Sequence, residues 1–107
     1  MLRPKKEAWI VVADSGTGAA PLAIGELTRI GSDADCELPL DGEGLSEMHA
    51  LVQRTEDGLF VVIDVSGDDA AGVAVNGQRV FRGALADGDT IELGRRRLVF
   101  QQGTLAA

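Results

Sequence analysis

Short apolar segments separated by glycine-containing turns run through the whole sequence. Residues 37–40 and 90–93 alternate apolar and polar side chains, which predicts strands that cover a core with one face only. Residues 59–63 are apolar on both faces, which predicts a central strand buried on two sides. No window of about eleven residues keeps a helical apolar period without a glycine or a proline in it. The pattern therefore predicts an all-β protein of short strands.

Two turn dipeptides mark hairpins between these strands. Asp57-Gly58 and Asn76-Gly77 each lie between two apolar segments, and Asn-Gly is the strongest two-residue hairpin signal. We expect Asn76 to supply the positive φ that a type I′ turn requires. Pro39 cannot donate to a ladder, so its strand is predicted at a sheet edge or beside a bulge. Short strands separated by such turns are typical of a β-sandwich.

The composition is that of an acidic, globular domain. The sequence has 107 residues, which predicts one domain, and hydrophobic residues make up 45% of it, so disorder is not expected. Its formal net charge is −7, which disfavours nucleic acids and anionic membranes as partners, because both attract basic surfaces. The one basic cluster, Arg95-Arg96-Arg97, follows Gly94, and we interpret it as the solvated tip of a hairpin.

The sequence predicts one sandwich at residues 7–102, between a basic tail at residues 1–6 and a C-terminal tail at residues 103–107. Its apolar run near the N-terminus is too short for a secretory signal or a membrane span, so any membrane tether would lie outside this sequence. Cys36 is the only cysteine, which excludes an internal disulfide and favours a reducing, cytoplasmic setting. We expect Cys36 to pack as a small hydrophobic side chain and Trp9 to anchor the core from the first strand.

Three landmarks occur along the chain in a fixed order. Gly31 follows an apolar segment, Ser46 and His49 form a Ser-x-x-His motif, and Asn76-Gly77 comes last. This order and spacing resembles the signature of the forkhead-associated (FHA) domain family, whose members dock onto partner proteins. The resemblance covers residues from about 27 to 101, including a Leu-x-x-Gly-Asp-x-Ile-x-Leu-Gly closing segment. It implies an FHA/SMAD-like β-sandwich of about eleven short, mostly antiparallel strands, in which Gly31, His49, Asn76 and Gly77 are structural.

The resemblance also implies a binding site at the loops of one end of the sandwich. In the family these loops present an arginine, a serine hydroxyl and an asparagine amide to a phosphothreonine. Here Ser46 keeps the serine, but Ser32 stands in place of the arginine and Ala71 in place of the asparagine. Glu47 adds a negative charge beside the expected phosphate. Because a guanidinium makes charge-assisted, bidentate bonds to phosphate, its loss predicts impaired phosphothreonine binding.

Two other arginines are candidates for a substitute cation. Arg29 lies three residues before Ser32, within a predicted strand from which it would project elsewhere, and Arg54 lies on a neighbouring strand. Ser46 and His49 have a plainer interpretation as well, in which they tie their loop together, hydroxyl to imidazole or to backbone.

An enzyme is the first alternative class, with Ser46 as nucleophile and His49 as base. A single histidine, no tyrosine and no nucleophile-elbow motif argue against it. No cluster of residues at metal-ligand spacing occurs, so the sequence predicts no metal, no cofactor and no catalytic residue.

Two binding classes remain open. One is a docking module, phospho-independent or only weakly phosphothreonine-binding, that acts as a scaffold. The stretch from Ile30 to Leu38 is similar to FHA-like cytoplasmic domains of an inner-membrane ring protein in type III secretion systems, which belong to this class. The other is a phosphothreonine-peptide reader in Ser/Thr kinase signalling that uses a substitute cation. Both imply a protein or phosphopeptide partner.

Overall fold

The computed structural model describes residues 6–13, 21–67 and 70–104. Eleven strands lie in these ranges, and no helix does. In chain order they are β1 (Lys6–Val12), β2 (Leu22–Ile24), β3 (Leu27–Gly31), β4 (Leu38–Pro39), β5 (Ala50–Arg54), β6 (Phe60–Asp64), β7 (Ala74–Val75), β8 (Gln78–Arg79), β9 (Arg82–Leu85), β10 (Thr90–Leu93) and β11 (Arg96–Thr104).

The strands form two sheets packed face to face. One sheet has the order β2-β1-β11-β10-β7-β8 and the other has the order β4-β3-β5-β6-β9. The paired strands are antiparallel except for β3 and β4, which are parallel. The prediction of an all-β sandwich of about eleven short, mostly antiparallel strands is confirmed.

The core lies between the two sheets. The rings of Phe60 on β6 and Phe100 on β11 meet there, with centroids 5.5 Å apart and planes inclined by 53°. Such tilted aromatic pairs contribute about 0.5–1.5 kcal/mol beyond the area they bury. Inward-facing side chains from nearly every strand complete the core: Ala8, Ile10, Ile24, Ile30, Leu38, Ala50, Val52, Val62, Leu85, Ile91, Leu93 and Leu98.

The turn chemistry predicted from the sequence is present. Strands β5 and β6 pair on either side of Asp57-Gly58, and β7 and β8 pair on either side of Asn76-Gly77. Asn76 has φ 52° and Gly77 has φ 84°, so both central residues have the positive φ of a type I′ turn. Pro39 lies on β4, an edge strand, where its missing N–H costs no ladder bond.

Two core predictions need correction. Leu59 is 54% exposed and precedes β6, whereas Phe60, Val61 and Val62 are buried as expected. Trp9 is only half-buried, because its strand neighbours Ala8 and Ile10 occupy the inward positions, which leaves Trp9 on the outer face.

The strands extend slightly beyond the predicted domain limits. Lys6 pairs with Thr104 and Glu7 with Gly103, so the sheet includes residues that the sequence pattern placed in the two tails. The rest of those tails, residues 1–5 and 105–107, lies outside the described residues. Within the described ranges, no helix has the length and apolar character needed to cross a bilayer.

Several connections meet at one end of the sandwich, here called the loop end. They include the β3–β4 loop (residues 32–37), the β4–β5 loop (residues 40–49), the β6–β7 loop (residues 65–73, described except for 68 and 69) and the short β8–β9 and β10–β11 connections. Backbone hydrogen bonds join them, for example from Ala71 N–H to the Gly44 carbonyl at 3.2 Å. Of the predicted hairpin tip Arg95-Arg96-Arg97, Arg95 is exposed in the β10–β11 connection. Arg96 and Arg97 lie on β11, where the Arg96 guanidinium donates to the Asp41 carbonyl at 2.5 Å.

Candidate functional site

The β3–β4 and β4–β5 loops are in direct backbone contact at Gly31. The amides of Ser32 and Asp33 donate to the carbonyls of Ser46 and Glu47, at 3.0 Å and 3.2 Å. A Cβ on Gly31 would overlap the Glu47 carbonyl, so only glycine allows this approach. Gly31 therefore fixes where Ser32 and Ser46 lie relative to each other.

His49 joins the β4–β5 loop to the β6–β7 loop. Its ring is fully buried, and Nδ1 accepts a hydrogen bond from the Ser46 backbone N–H at 3.1 Å. The other ring nitrogen, Nε2, lies 2.7 Å from the Gly72 carbonyl oxygen. Because a carbonyl oxygen only accepts, Nε2 carries the hydrogen and donates it. His49 thus links the two loops through both of its ring nitrogens.

The Ser46 hydroxyl makes a second link between the same loops. It donates to the Ser66 carbonyl at 2.6 Å, and Ser66 in turn donates from its amide and its hydroxyl to Asp64 Oδ1. Burial alone would raise the pKa of Asp64, but the hydrogen bonds from Ser66 and the nearby charge of Arg79 together hold that pKa below its ordinary value. The hydroxyl of Ser46 bonds to backbone rather than to imidazole, so the serine lacks the activation that a nucleophile needs.

The four candidate contact residues from the loops come together at the loop end. Ser32, Glu47 and Ala71 are exposed there, and Ser46 is half-buried beside them. None of the four carries a positive charge. The β3–β4 and β4–β5 loops contain no Lys or Arg, and they carry six exposed carboxylates: Asp33, Asp35, Glu37, Asp41, Glu43 and Glu47.

Neither arginine proposed from the sequence is placed as a free cation at this site. Arg29 donates from Nε and Nη2 to the Glu37 carboxylate at 2.9 Å and 2.7 Å, and from Nη2 to the Asp35 carbonyl at 3.0 Å. The bonds from Arg29 lower the pKa of Glu37 to about 2. Arg54 ends β5, a strand that begins near the loop end, so it lies about 15 Å away along the strand. Its guanidinium lies 5.9 Å from the Phe60 ring centroid.

Sequence reasoning missed a third arginine, Arg79. Its guanidinium lies against Gly72, where a Cβ would be 2.8–2.9 Å from Nη2, Cζ and Nε. It also lies over the ring of Phe81, 5.9 Å from the centroid, and Phe81 is 74% exposed. The hairpin signal could have located it, because a tight turn at Asn76-Gly77 sends the return strand, with Arg79, back to the loop end.

The loop end also contains a cysteine thiol and side chains of the types that bind metal ions. Cys36 is buried, as expected, and its Sγ lies 3.5 Å from the Glu47 carbonyl. Burial raises the pKa of the Cys36 thiol, which keeps it protonated. In the part of the chain that the structure describes, no group of three or more His, Cys, Asp or Glu side chains is arranged to hold a metal ion.

This combination of a two-sheet sandwich with a Gly31, Ser46–His49 and Asn76-Gly77 framework defines a class of binding domain. Residues 28–94 match the FHA domain family model. The chain belongs to the FHA domain family, whose members are protein-interaction modules.

Curated relatives cover nearly the whole chain. It is 32% identical over 102 residues to the glycogen accumulation regulator GarA of Mycobacterium tuberculosis, which aligns 95% of this chain with 61% of that protein. It is also 32% identical over 105 residues to an oxoglutarate dehydrogenase inhibitor of Corynebacterium jeikeium, which aligns 97% of this chain with 71% of that protein. The chain thus spans less than two thirds of the length of GarA.

Solved structures show the same fold. A structure from a study of phosphothreonine-dependent FHA domain interactions superimposes with a TM-score of 0.80 at 25% identity, covering 92% of this chain and 99% of that one. EmbR of Mycobacterium tuberculosis, in complex with a low affinity phosphopeptide, superimposes with a TM-score of 0.74 at 30% identity, covering 89% of this chain and 24% of that one. The FHA domain of CT664 from Chlamydia trachomatis has a TM-score of 0.78 at 19% identity, covering 89% and 96%, and shares the fold.

Proposed function

We propose that this chain is a non-catalytic docking module that contacts its partner through the loop end and does not require phosphothreonine in that partner. The observation that carries the proposal is Ser32. It follows Gly31 directly, at the place where the family presents its arginine, and it offers one neutral hydroxyl. Charge-assisted bonds are each stronger than a neutral bond by roughly a factor of two, so this position alone removes much of the grip on a phosphate.

The charges around Ser32 act in the same direction. A phosphothreonine carries about −1.5 to −2 charges at neutral pH, and it is repelled by neighbouring carboxylates. Asp33 and Glu47 are exposed on the two loops that meet at Gly31. Arg29, the nearest arginine in sequence, already neutralises Glu37. The loop end therefore favours a partner with a basic surface.

The relatives favour a regulatory role for this docking. GarA is named as a regulator of glycogen accumulation, and the Corynebacterium jeikeium protein is named as an enzyme inhibitor. We infer that this chain regulates a partner protein in the cytoplasm by binding it. The resemblance of residues 30–38 to secretion-ring domains remains a weaker suggestion, because no relative described above is named for secretion.

A phosphothreonine reader with a substitute cation is the second candidate function. One observation favours it: the guanidinium of Arg79 lies over Gly72, next to the loop that holds Ser66. On this alternative Arg79, and neither Arg29 nor Arg54, would supply the missing charge.

Matched phosphothreonine and threonine peptide libraries distinguish the two functions. At physiological salt we expect the wild-type domain to show no phosphate-dependent binding. The triple variant Ser32→Arg, Glu47→Arg, Ala71→Asn restores the family pattern and is expected to bind phosphothreonine peptides at least about tenfold more tightly, since each new charge-assisted bond contributes about 1.5–3 kcal/mol.

The control for this test raises the charge by the same amount elsewhere. Gln53→Arg with Glu56→Arg places the added positive charge on exposed positions away from the loop end, and is expected to leave phosphopeptide binding unchanged. Phosphate-dependent binding by the wild-type domain, lost in Arg79→Gln, would favour the second candidate instead.

A further inference from the structure

We propose that Arg79 and Phe81 form a second contact point of the loop end, a subsite that binds a carboxylate of the partner next to an apolar side chain. This inference rests on the proposed docking through the loop end and adds to it the position and chemistry of one contact. Neither residue belongs to the Gly31, Ser46–His49 and Asn76-Gly77 framework.

Arg79 and Phe81 lie at the loop end because the connection from β8 to β9 is made there. The Phe81 carbonyl accepts a hydrogen bond from the Asp64 amide at 2.8 Å, and Asp64 is the last residue of β6. Ser66, which accepts the Ser46 hydroxyl bond, follows two residues later. The Arg79–Phe81 pair is therefore adjacent to the β6–β7 loop that Ser46 and His49 hold in place.

Arg79 differs from Arg29 and Arg96 in what its guanidinium bonds. Arg29 is paired with Glu37, and Arg96 donates to the Asp41 carbonyl. In the described part of the chain, Arg79 has no salt bridge and no side-chain hydrogen bond. Its guanidinium lies against Gly72 and over the Phe81 ring, and its charge reaches Asp64. A guanidinium without a hydrogen-bond partner in its own chain breaks no such bond when it binds a carboxylate, and its paired N–H donors match the two carboxylate oxygens.

Phe81 supplies the apolar part of the subsite. At 74% exposure it is the most exposed of the large hydrophobic side chains in the described residues. Met48 and Val65, also partly exposed, lie on the two neighbouring loops of the same end. Aromatic residues and arginine are enriched at the energetic centres of protein interfaces.

The surrounding charges specify what the partner presents here. Asp33, Glu43 and Glu47 favour basic groups across the rest of the loop end, whereas Arg79 repels a basic group at its own position. A partner that is basic overall, with one acidic side chain beside an apolar one, satisfies both requirements. The acidic side chain, with the apolar one beside it, then fixes the register of docking, because Arg79 is the arginine that lies over the exposed Phe81 ring.

The probe is a phage-displayed library of random short peptides, panned on the wild-type domain at physiological salt. We expect selected peptides to contain an Asp or Glu beside a large apolar residue, within a basic sequence. Arg79→Gln and Phe81→Ala are each expected to weaken their binding by at least about tenfold, as residues at an interface centre do. The controls Arg82→Gln and Leu59→Ala, also at exposed positions, are expected to change binding less than about twofold, and melting curves establish that each variant is folded.

A double-mutant cycle separates a direct contact from a structural effect. Replacing the acidic residue of a selected peptide by its amide is expected to cost affinity on the wild-type domain and almost nothing on Arg79→Gln. Equal costs on both proteins would overturn the subsite. Peptides that tolerate Arg79→Gln and Phe81→Ala but lose binding to Glu47→Arg would also overturn it, while leaving docking through the loop end intact.

Two further outcomes count against the inference. Peptides insensitive to Arg79, Phe81 and Glu47 alike would contradict both the subsite and the proposed function. Peptides that bind more tightly with phosphothreonine in place of the acidic residue, through Arg79, would assign the subsite to phosphate and contradict the carboxylate.

Discussion

Gly31 is the residue on which the geometry of the loop end depends. The Glu47 carbonyl occupies the place that a Cβ at position 31 would need, and that carbonyl belongs to backbone, which cannot rotate away. Gly31→Ala is therefore expected to destabilise the fold by about 2–3 kcal/mol, the upper part of the usual range for one substitution. Denaturant unfolding measures this change. Gly25→Ala is the matched control, because a Cβ at position 25 meets nothing within 4 Å and we expect almost no loss there. Equal stability of the two variants would contradict the close approach at Gly31.

Arg29 is paired with Glu37, and this pairing makes the stability of the protein depend on pH in the acid range. The hydrogen bonds from Arg29 lower the pKa of Glu37 from 4.5 to about 2. Because the folded-state pKa is depressed, the contribution of this pair to stability is complete above about pH 4.5 and is lost as the pH falls towards about 2. That contribution is small, since both side chains are partly exposed.

An NMR titration of the Glu37 carboxyl tests the pairing directly. In the wild-type protein we expect no titration of Glu37 between pH 5 and pH 3, because its pKa is about 2. Arg29→Gln is expected to return the titration towards 4.5, whereas Arg54→Gln leaves it unchanged. If Glu37 titrates near its ordinary value in the wild type, Arg29 is not engaged as described and becomes available as a cation.

The sequence indicated the roles of single residues where the cause is local. His49 and Asn76 were predicted as structural because loop ties and positive φ depend on a few neighbouring residues. Arg79 was missed because its position depends on Gly72, seven residues earlier in the chain, which a folded loop brings against it. Likewise, the sequence suggested that Arg29 would project away from Ser32 but did not reveal Glu37 as its partner, which β4 places opposite β3.

Among the elements, the β7–β8 hairpin shows how one turn joins two parts of a sheet. The Asn76 side chain donates from Nδ2 to Asp89 Oδ1 at 2.9 Å and accepts from the Thr90 amide at 2.9 Å. Asn76 therefore supplies both the positive φ of the turn and two bonds to the start of β10. Asp89 also accepts from the Ala86 amide, so the hairpin and the β9–β10 turn support each other.

Two substitutions separate these contributions of Asn76. Asn76→Gly keeps the turn conformation and loses the two side-chain bonds, which is expected to cost about 1 kcal/mol. Asn76→Ala loses the bonds and also strains the backbone at positive φ, and is expected to cost about 2 kcal/mol. Thermal unfolding compares them. Equal melting temperatures for the two variants would show that the positive φ adds nothing, and an unchanged Asn76→Ala would contradict both contributions.

The position of a hairpin or an edge strand could be predicted from the sequence where a turn dipeptide or a missing backbone N–H determines it. Asp57-Gly58 and Pro39 placed a hairpin and an edge strand without any tertiary information. The orientation of β1 was not decided in this way. Its segment offers either Trp9 or the pair Ala8 and Ile10 to the core, and the large aromatic side chain suggested the wrong face. Because side chains alternate along a strand, either face of β1 could point inward, and packing against the opposite sheet determines which one does.

At the scale of the whole molecule, the two outermost segments of the chain complete the core. Strands β1 and β11 pair along seven residue positions in the middle of the six-stranded sheet, and β11 also pairs with β10. They contribute Ile10, Leu98 and Phe100, each almost fully buried. The family match, in contrast, ends at residue 94 and begins at residue 28, so it includes neither strand. The recognisable motif is thus smaller than the folding unit.

This difference predicts that a fragment of residues 28–94 does not fold, whereas a fragment of residues 6–104 does. A fragment of residues 28–94 lacks β1, β2 and β11, and the inner face of the opposite sheet is exposed. It loses four large core side chains, each worth about 1.5–3 kcal/mol: Ile10, Ile24, Leu98 and Phe100. Together these side chains account for about 6–12 kcal/mol, which is comparable to the entire stability of a small domain, about 5–15 kcal/mol. Circular dichroism and proton–nitrogen NMR spectra of the two fragments check the prediction. A cooperative thermal transition in residues 28–94 would mean that the five-stranded sheet with β7, β8 and β10 is enough to hold the loop end and its binding residues, and that β1, β2 and β11 are not what positions them.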